Sequence, residues 1–120
     1  MPWGAEQKQV AKIIAKQNDQ FRKVWGADFT VPGHVVMTAA VSELEAGMQV
    51  KIMLAVQSYD DFTPDNDPNG EHEFGVFEIE GTTFNWKIDL YDPSYRHGST
   101  HCTDPTKTRR VLTVMTPQEN

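Results

Sequence analysis

Ten acidic side chains against a single lysine occupy residues 60 to 92. Asp60, Asp61, Asp65, Asp67, Glu71, Glu73, Glu78, Glu80, Asp89 and Asp92 have only Lys87 among them. Carboxylates crowded in this way repel one another, so the folded chain must spread them over solvent, supply cations, or hold some protonated. Asp65-Asn66-Asp67-Pro68-Asn69-Gly70 starts as a calcium loop starts, with oxygen ligands at the first, third and fifth positions and glycine at the sixth. The twelfth position, which needs a bidentate glutamate, is Val76. Asp, Asn, Pro and Gly are also turn formers, so the pattern predicts a bare turn and no metal site. His97-Gly98-Ser99-Thr100-His101-Cys102 lacks a fourth zinc ligand, and His101 in extended chain points away from the neighbouring thiol. Lys107, Arg109 and Arg110 read as a solvated basic edge.

Two kinds of chemistry remain. As an enzyme, the acidic segment offers His72 or Asp89 as a base with Lys87 beside it as an electrostatic stabiliser. As a binding surface, it offers Asp65, Asp67, Glu71, His72, Glu73, Phe74, Trp86, Lys87, Asp89, Tyr91 and Asp92, a mixture of charged and aromatic groups of the kind that forms interfaces. The binding class is favoured, because catalysis also needs a cleft and Lys-Asp neighbours on a strand are common solvated pairs. No residue is assigned a catalytic role, and no cofactor is called for.

The elements that must position these residues follow from periodicity. Val10, Ile13, Ile14, Phe21, Val24 and Trp25 form one stripe at helical spacing, predicting an amphipathic helix from Ala5 to Trp25 that Gly26 ends. Val35 to Ala39 predicts a strand. Ser42-Glu43-Leu44-Glu45 reads as a capping box opening a second helix, with Met48, Ile52, Met53, Val56 and Tyr59 on one side, ending before Pro64. Phe74–Glu80 and Thr83–Tyr91 predict a hairpin turning at Glu80-Gly81-Thr82. Placing Ile79 across from Phe84 puts Phe74 opposite Asp89 and His72 opposite Tyr91. His72, Phe74, Glu78, Asn85, Lys87, Asp89 and Tyr91 then share one side of the sheet. Val111–Met115 predicts a last strand. The expected architecture is α+β: two helices on one face of a sheet of about four strands, largely antiparallel.

At 120 residues the chain is read as one domain, able to bury about two thirds of the surface it exposes when unfolded. Its net charge of −6 argues against DNA, RNA or anionic membrane as direct partners, since those are held mainly by Lys and Arg. One cysteine, Cys102, excludes an internal disulfide and fits a reducing compartment. The opening Met1-Pro2-Trp3-Gly4 leads into a lysine-rich helical pattern unlike a secretory signal, so the expected location is cytoplasmic.

Asn66-Asp67-Pro68-Asn69-Gly70-Glu71-His72-Glu73-Phe74-Gly75, Trp86-Lys87-Ile88-Asp89-Leu90-Tyr91-Asp92 and Arg110-Val111-Leu112-Thr113-Val114-Met115 resemble the bacterial family called domain of unknown function 3768. Asn18-Asp19-Gln20-Phe21-Arg22 and Val36-Met37-Thr38-Ala39 are similar to its pattern as well. The resemblance implies a small cytoplasmic protein of alphaproteobacteria and their mobile elements, and lends no activity. With the charge, it leads to the expectation of an accessory protein that docks onto a basic protein surface, such as a nucleic-acid-binding effector of host defence, as an anti-restriction or anti-CRISPR protein would. The alternative is a hydrolase or nuclease-like enzyme that holds a divalent cation with the same carboxylates.

Overall fold

A computed structural model describes residues 4–120, and the Met1-Pro2-Trp3 opening lies outside the described residues. The elements are α1 (Ala5–Lys23), β1 (Gly33–Met37), α2 (Ala39–Ser42), α3 (Ala46–Gln57), β2 (Phe74–Ile79), β3 (Thr82–Tyr91), β4 (Arg109–Met115) and a closing 3-10 turn, Pro117–Glu119. The sheet has four strands in the order β1-β4-β3-β2. β1 runs parallel to β4, and the other two pairings are antiparallel. The fold is α+β, as the periodicity predicts. None of the described helices is long and apolar enough to cross a membrane.

The stripe of α1 buries Ile14 and Phe21 together with two polar residues, Asn18 and Arg22. The helix stops at Lys23, short of the predicted Trp25, because Trp25 (φ 54°) and Gly26 (φ 76°) both turn left-handed. The Gly26 N–H then donates to Phe21 O at 2.9 Å, the reversed bond that closes many helices.

The predicted capping box is not formed. Ser42 is the last residue of the short α2, and α3 starts at Ala46 with Glu45 at its N-cap. Val41 is fully buried, which fixes α2 in place and forces a turn before the next helix. Gln49 secures that turn by donating to Ser42 O at 3.0 Å and Leu44 O at 2.9 Å.

The hairpin register also differs from expectation. Ile79 pairs with Thr82 across a turn of Glu80 (φ 50°) and Gly81 (φ 83°), the left-handed pair that suits a tight hairpin. Phe74 therefore faces Lys87, not Asp89. The slip is an even one, so every side chain of β2 keeps its predicted side of the sheet. His72 is the exception, since it precedes the strand and turns away from it.

Phe84, Trp86, Ile88, Leu112 and Val114, on one side of the sheet by register, form the core with Phe21 of α1, Val41 of α2, and Ile52 and Val56 of α3. Gly33 and Gly75 are the positions where this packing demands glycine. A Cβ at Gly33 would collide with the Arg110 backbone, and one at Gly75 with the Trp86 indole nitrogen and the Tyr59 ring.

Candidate functional site

Between α3 and β2 the chain forms a loop whose own side chains fix its course. Asn66 Oδ1 accepts from Thr63 N–H at 2.8 Å, while Asn66 Nδ2 donates to Asp61 O at 2.7 Å. The Asp67 N–H donates to Thr63 O at 2.8 Å, and the Gly70 N–H to Asp67 O at 3.0 Å. The stretch that begins like a calcium loop is thus a self-bonded turn. Asp67 points inward, its side chain 6% exposed and within 3.3 Å of the His72 amide.

His72 adopts a left-handed backbone, φ 55°, which costs a residue of this kind on the order of 1–2 kcal/mol. Its surroundings hold it there. The ring stacks on Phe62, with centroids 3.8 Å apart and planes inclined by 4°. Nδ1 lies 2.9 Å from Asp19 Oδ2, and Nε2 lies 3.7 Å from Asp67 Oδ2. His72 therefore leaves the sheet surface assigned to it from the sequence and joins the loop to α1.

Three residues of α1 complete this junction. Asn18 Nδ2 donates to Glu71 O at 2.9 Å. Arg22 donates to Val56 O at 2.9 Å and to Tyr59 O at 2.8 Å, closing the C-terminal end of α3, and its third contact is Asp19 at 2.8 Å. Its guanidinium carbon also lies 5.4 Å from the Phe62 ring centroid. Arg110 is fully buried, contrary to its reading as a solvated edge. It donates to Asn18 Oδ1 at 2.8 Å and Gln17 Oε1 at 3.1 Å, and burial lowers its guanidinium to about 10. Sequence reasoning did not assign Asn18, Asp19, Arg22 or Arg110 to a site. The available signal was the helical stripe itself, where Asn18 and Arg22 interrupt the apolar residues at the spacing of Ile14 and Phe21.

Both buried arginines are thus committed away from the mid-chain acids. Glu71 is held above the ordinary glutamate value by burial first, then by repulsion from Glu73 and Asp67. Glu73 is raised by burial and then by Asp67 and Asp89. Among the described residues neither has an ion-pair partner; the pairs beside them are His72 with Asp19 and Asp67, and Lys87 with Asp89 at 3.5 Å. Asp65 is exposed at the loop tip. Phe74, Lys87, Asp89 and Tyr91 share the side of the sheet opposite the core, beside Val76, which is 49% exposed. Trp86 does not belong with them. It is fully buried on the core side, because alternation along β3 sends it the other way. Asp92 serves its own turn. The Ser94 hydroxyl first, and then backbone N–H groups of Arg96, His97 and Ser94, hold its carboxyl below the ordinary range. Among the described residues no three His, Cys, Asp or Glu side chains converge at metal-binding spacing.

The sequence profile of the family described as "Protein of unknown function (DUF3768)" matches residues 37–119. The chain belongs to DUF3768. No curated protein and no solved structure matches it. Within this DUF3768 chain the matched region holds the Asp67–His72 loop, β2, β3 and β4, whereas Asp19 and Arg22 precede it. The contacts from α1 tie the residues ahead of the DUF3768 match to the loop inside it.

Proposed function

We propose that the protein works by binding, presenting Asp65, Glu71, Glu73 and Asp89 to a basic protein surface. Its place would be that of a mobile-element accessory protein that occupies the nucleic-acid groove of a host-defence effector. The observation that carries this reading is that Glu71 and Glu73 are half-buried close to Asp67 and Asp89, with no ion-pair partner for either glutamate among the described residues. Carboxylates that destabilise the free protein are relieved when a partner supplies lysines or arginines, and the net charge of −6 steers such a partner in. The apolar and aromatic groups beside them, exposed Val76 and half-buried Phe74 and Tyr91, add the desolvated contacts that charge alone does not provide. The divalent-cation hydrolase has less support, since the carboxylates do not converge on one point.

The test compares wild type with Glu71→Gln/Glu73→Gln/Asp89→Asn as bait in an alphaproteobacterial lysate at low and high salt. The proposal expects a nucleic-acid-binding protein that wild type retains at low salt, that the variant fails to retain, and that its own DNA or RNA displaces. Identical retention by both baits, or retention indifferent to salt, overturns it.

A further inference from the structure

Lys8, Lys12, Lys16, Arg22 and Lys23 of α1 are five of the chain's 11 basic residues, and among the described residues the four lysines form no ion pair. Lys12, Lys16 and Lys23 instead line a cavity of about 580 Å³ between α1 and the Gly70–His72 loop, together with Gln20 and His72. The spacing i, i+4, i+11 places the three ammonium groups on one side of the helix. Like charges four residues apart weaken a helix, so folding gives no reason for Lys12 and Lys16 to stand there together. None of the three has a carboxylate within ion-pair distance among the described residues, in a chain with 17 acids. Asp19 is the one carboxylate on the cavity wall, and it is already engaged with Arg22 at 2.8 Å and His72 at 2.9 Å.

We infer that this cavity is a binding site for a small phosphorylated ligand, held by Lys12, Lys16 and Lys23, with Gln20 and His72 on its wall. Three cations spread over roughly 16 Å of helix axis match a ligand with two or more phosphate charges better than a single carboxylate. The volume lies within the span of roughly 300–1,000 Å³ usual for small-molecule sites. A polynucleotide is disfavoured, because a long backbone leaving the cavity past Gly70 would meet Glu71 and Asp67 and the overall negative charge. This site borders the proposed docking surface at Glu71, which stands between Gly70 and His72 in the chain.

The experiment titrates the protein with sodium pyrophosphate and with ADP while recording NMR spectra of the backbone amides, the Gln20 side-chain amide and the His72 ring. Saturable shifts are expected at Lys16, Gln20, Gly70 and His72. Lys12→Gln/Lys16→Gln/Lys23→Gln should lose about tenfold or more in affinity. All three side chains are exposed and Lys12 and Lys16 repel each other, so the variant's unfolding midpoint should be no lower than that of wild type. Glu71→Gln/Glu73→Gln should retain binding, which separates this site from the acidic surface. The inference is overturned if neither probe gives saturable shifts, if the lysine variant binds as wild type does, or if single-stranded RNA or DNA binds more tightly than pyrophosphate with affinity that grows with length.

Discussion

Nδ1 of His72 stands 2.9 Å from Asp19 Oδ2, although the two residues are 53 positions apart in the chain. The contact joins α1 to the loop beside the Asn18–Glu71 bond, and it lets His72 keep a backbone conformation that disfavours any side chain. Asp19→Asn and His72→Gln should each lower stability by about 1–3 kcal/mol. The double variant should lose clearly less than the sum of the two, since each removes the same interaction. Urea unfolding of the four proteins measures the coupling.

Arg22 closes α3 from another helix, through Val56 O and Tyr59 O. Arg22→Met fills similar volume but leaves two carbonyls and the Asp19 carboxylate without their donor. A loss of about 3 kcal/mol or more is expected. Amide exchange should speed up first in the last turn of α3.

Glu71 and Glu73 contribute a pH dependence of their own. Both carboxyls are raised above the ordinary value of 4.5, so the folded protein binds these protons more tightly than the unfolded chain does. Their penalty is therefore absent below the ordinary glutamate range, grows as pH rises through it, and is complete above the folded values. Glu71→Gln/Glu73→Gln should unfold at a higher urea midpoint than wild type at neutral pH, with the difference shrinking on acidification. Unfolding curves across mildly acid to neutral pH give the comparison.

Two glycines in this fold should respond in opposite directions to alanine. At Gly75 the new Cβ meets Trp86 and Tyr59, an overpacking worth about 1–3 kcal/mol of destabilisation. Gly47 sits in α3 with nothing within 4 Å of its added Cβ. Gly47→Ala should stabilise by about 0.5–1 kcal/mol through helix preference. Thermal unfolding of both variants tests the pair.

Local pattern carried much of the architecture. The amphipathic stripe of α1 and the alternation of β3 are repeated signals, each resting on many residues, so a one- or two-residue error at an end left the element in place. The features that misled were short. Ser42-Glu43-Leu44-Glu45 has the composition of a capping box, but burial of Val41 decided where the helices break. Arg110 looked like part of a basic edge until its alternation partner across the sheet was known.

By itself the sequence determined α1 and the four strands to within a few residues at their ends, the sides of β2 and β3 that face the core, and the excess of negative charge in mid-chain, because these depend on neighbours within a few positions. Tertiary structure alone decided that His72 turns toward Asp19, and that Arg22 and Arg110 serve buried carbonyls and amides in place of the mid-chain acids. Each of those outcomes rests on a contact between distant segments, whose strength depends on burial and direction that no local spacing encodes.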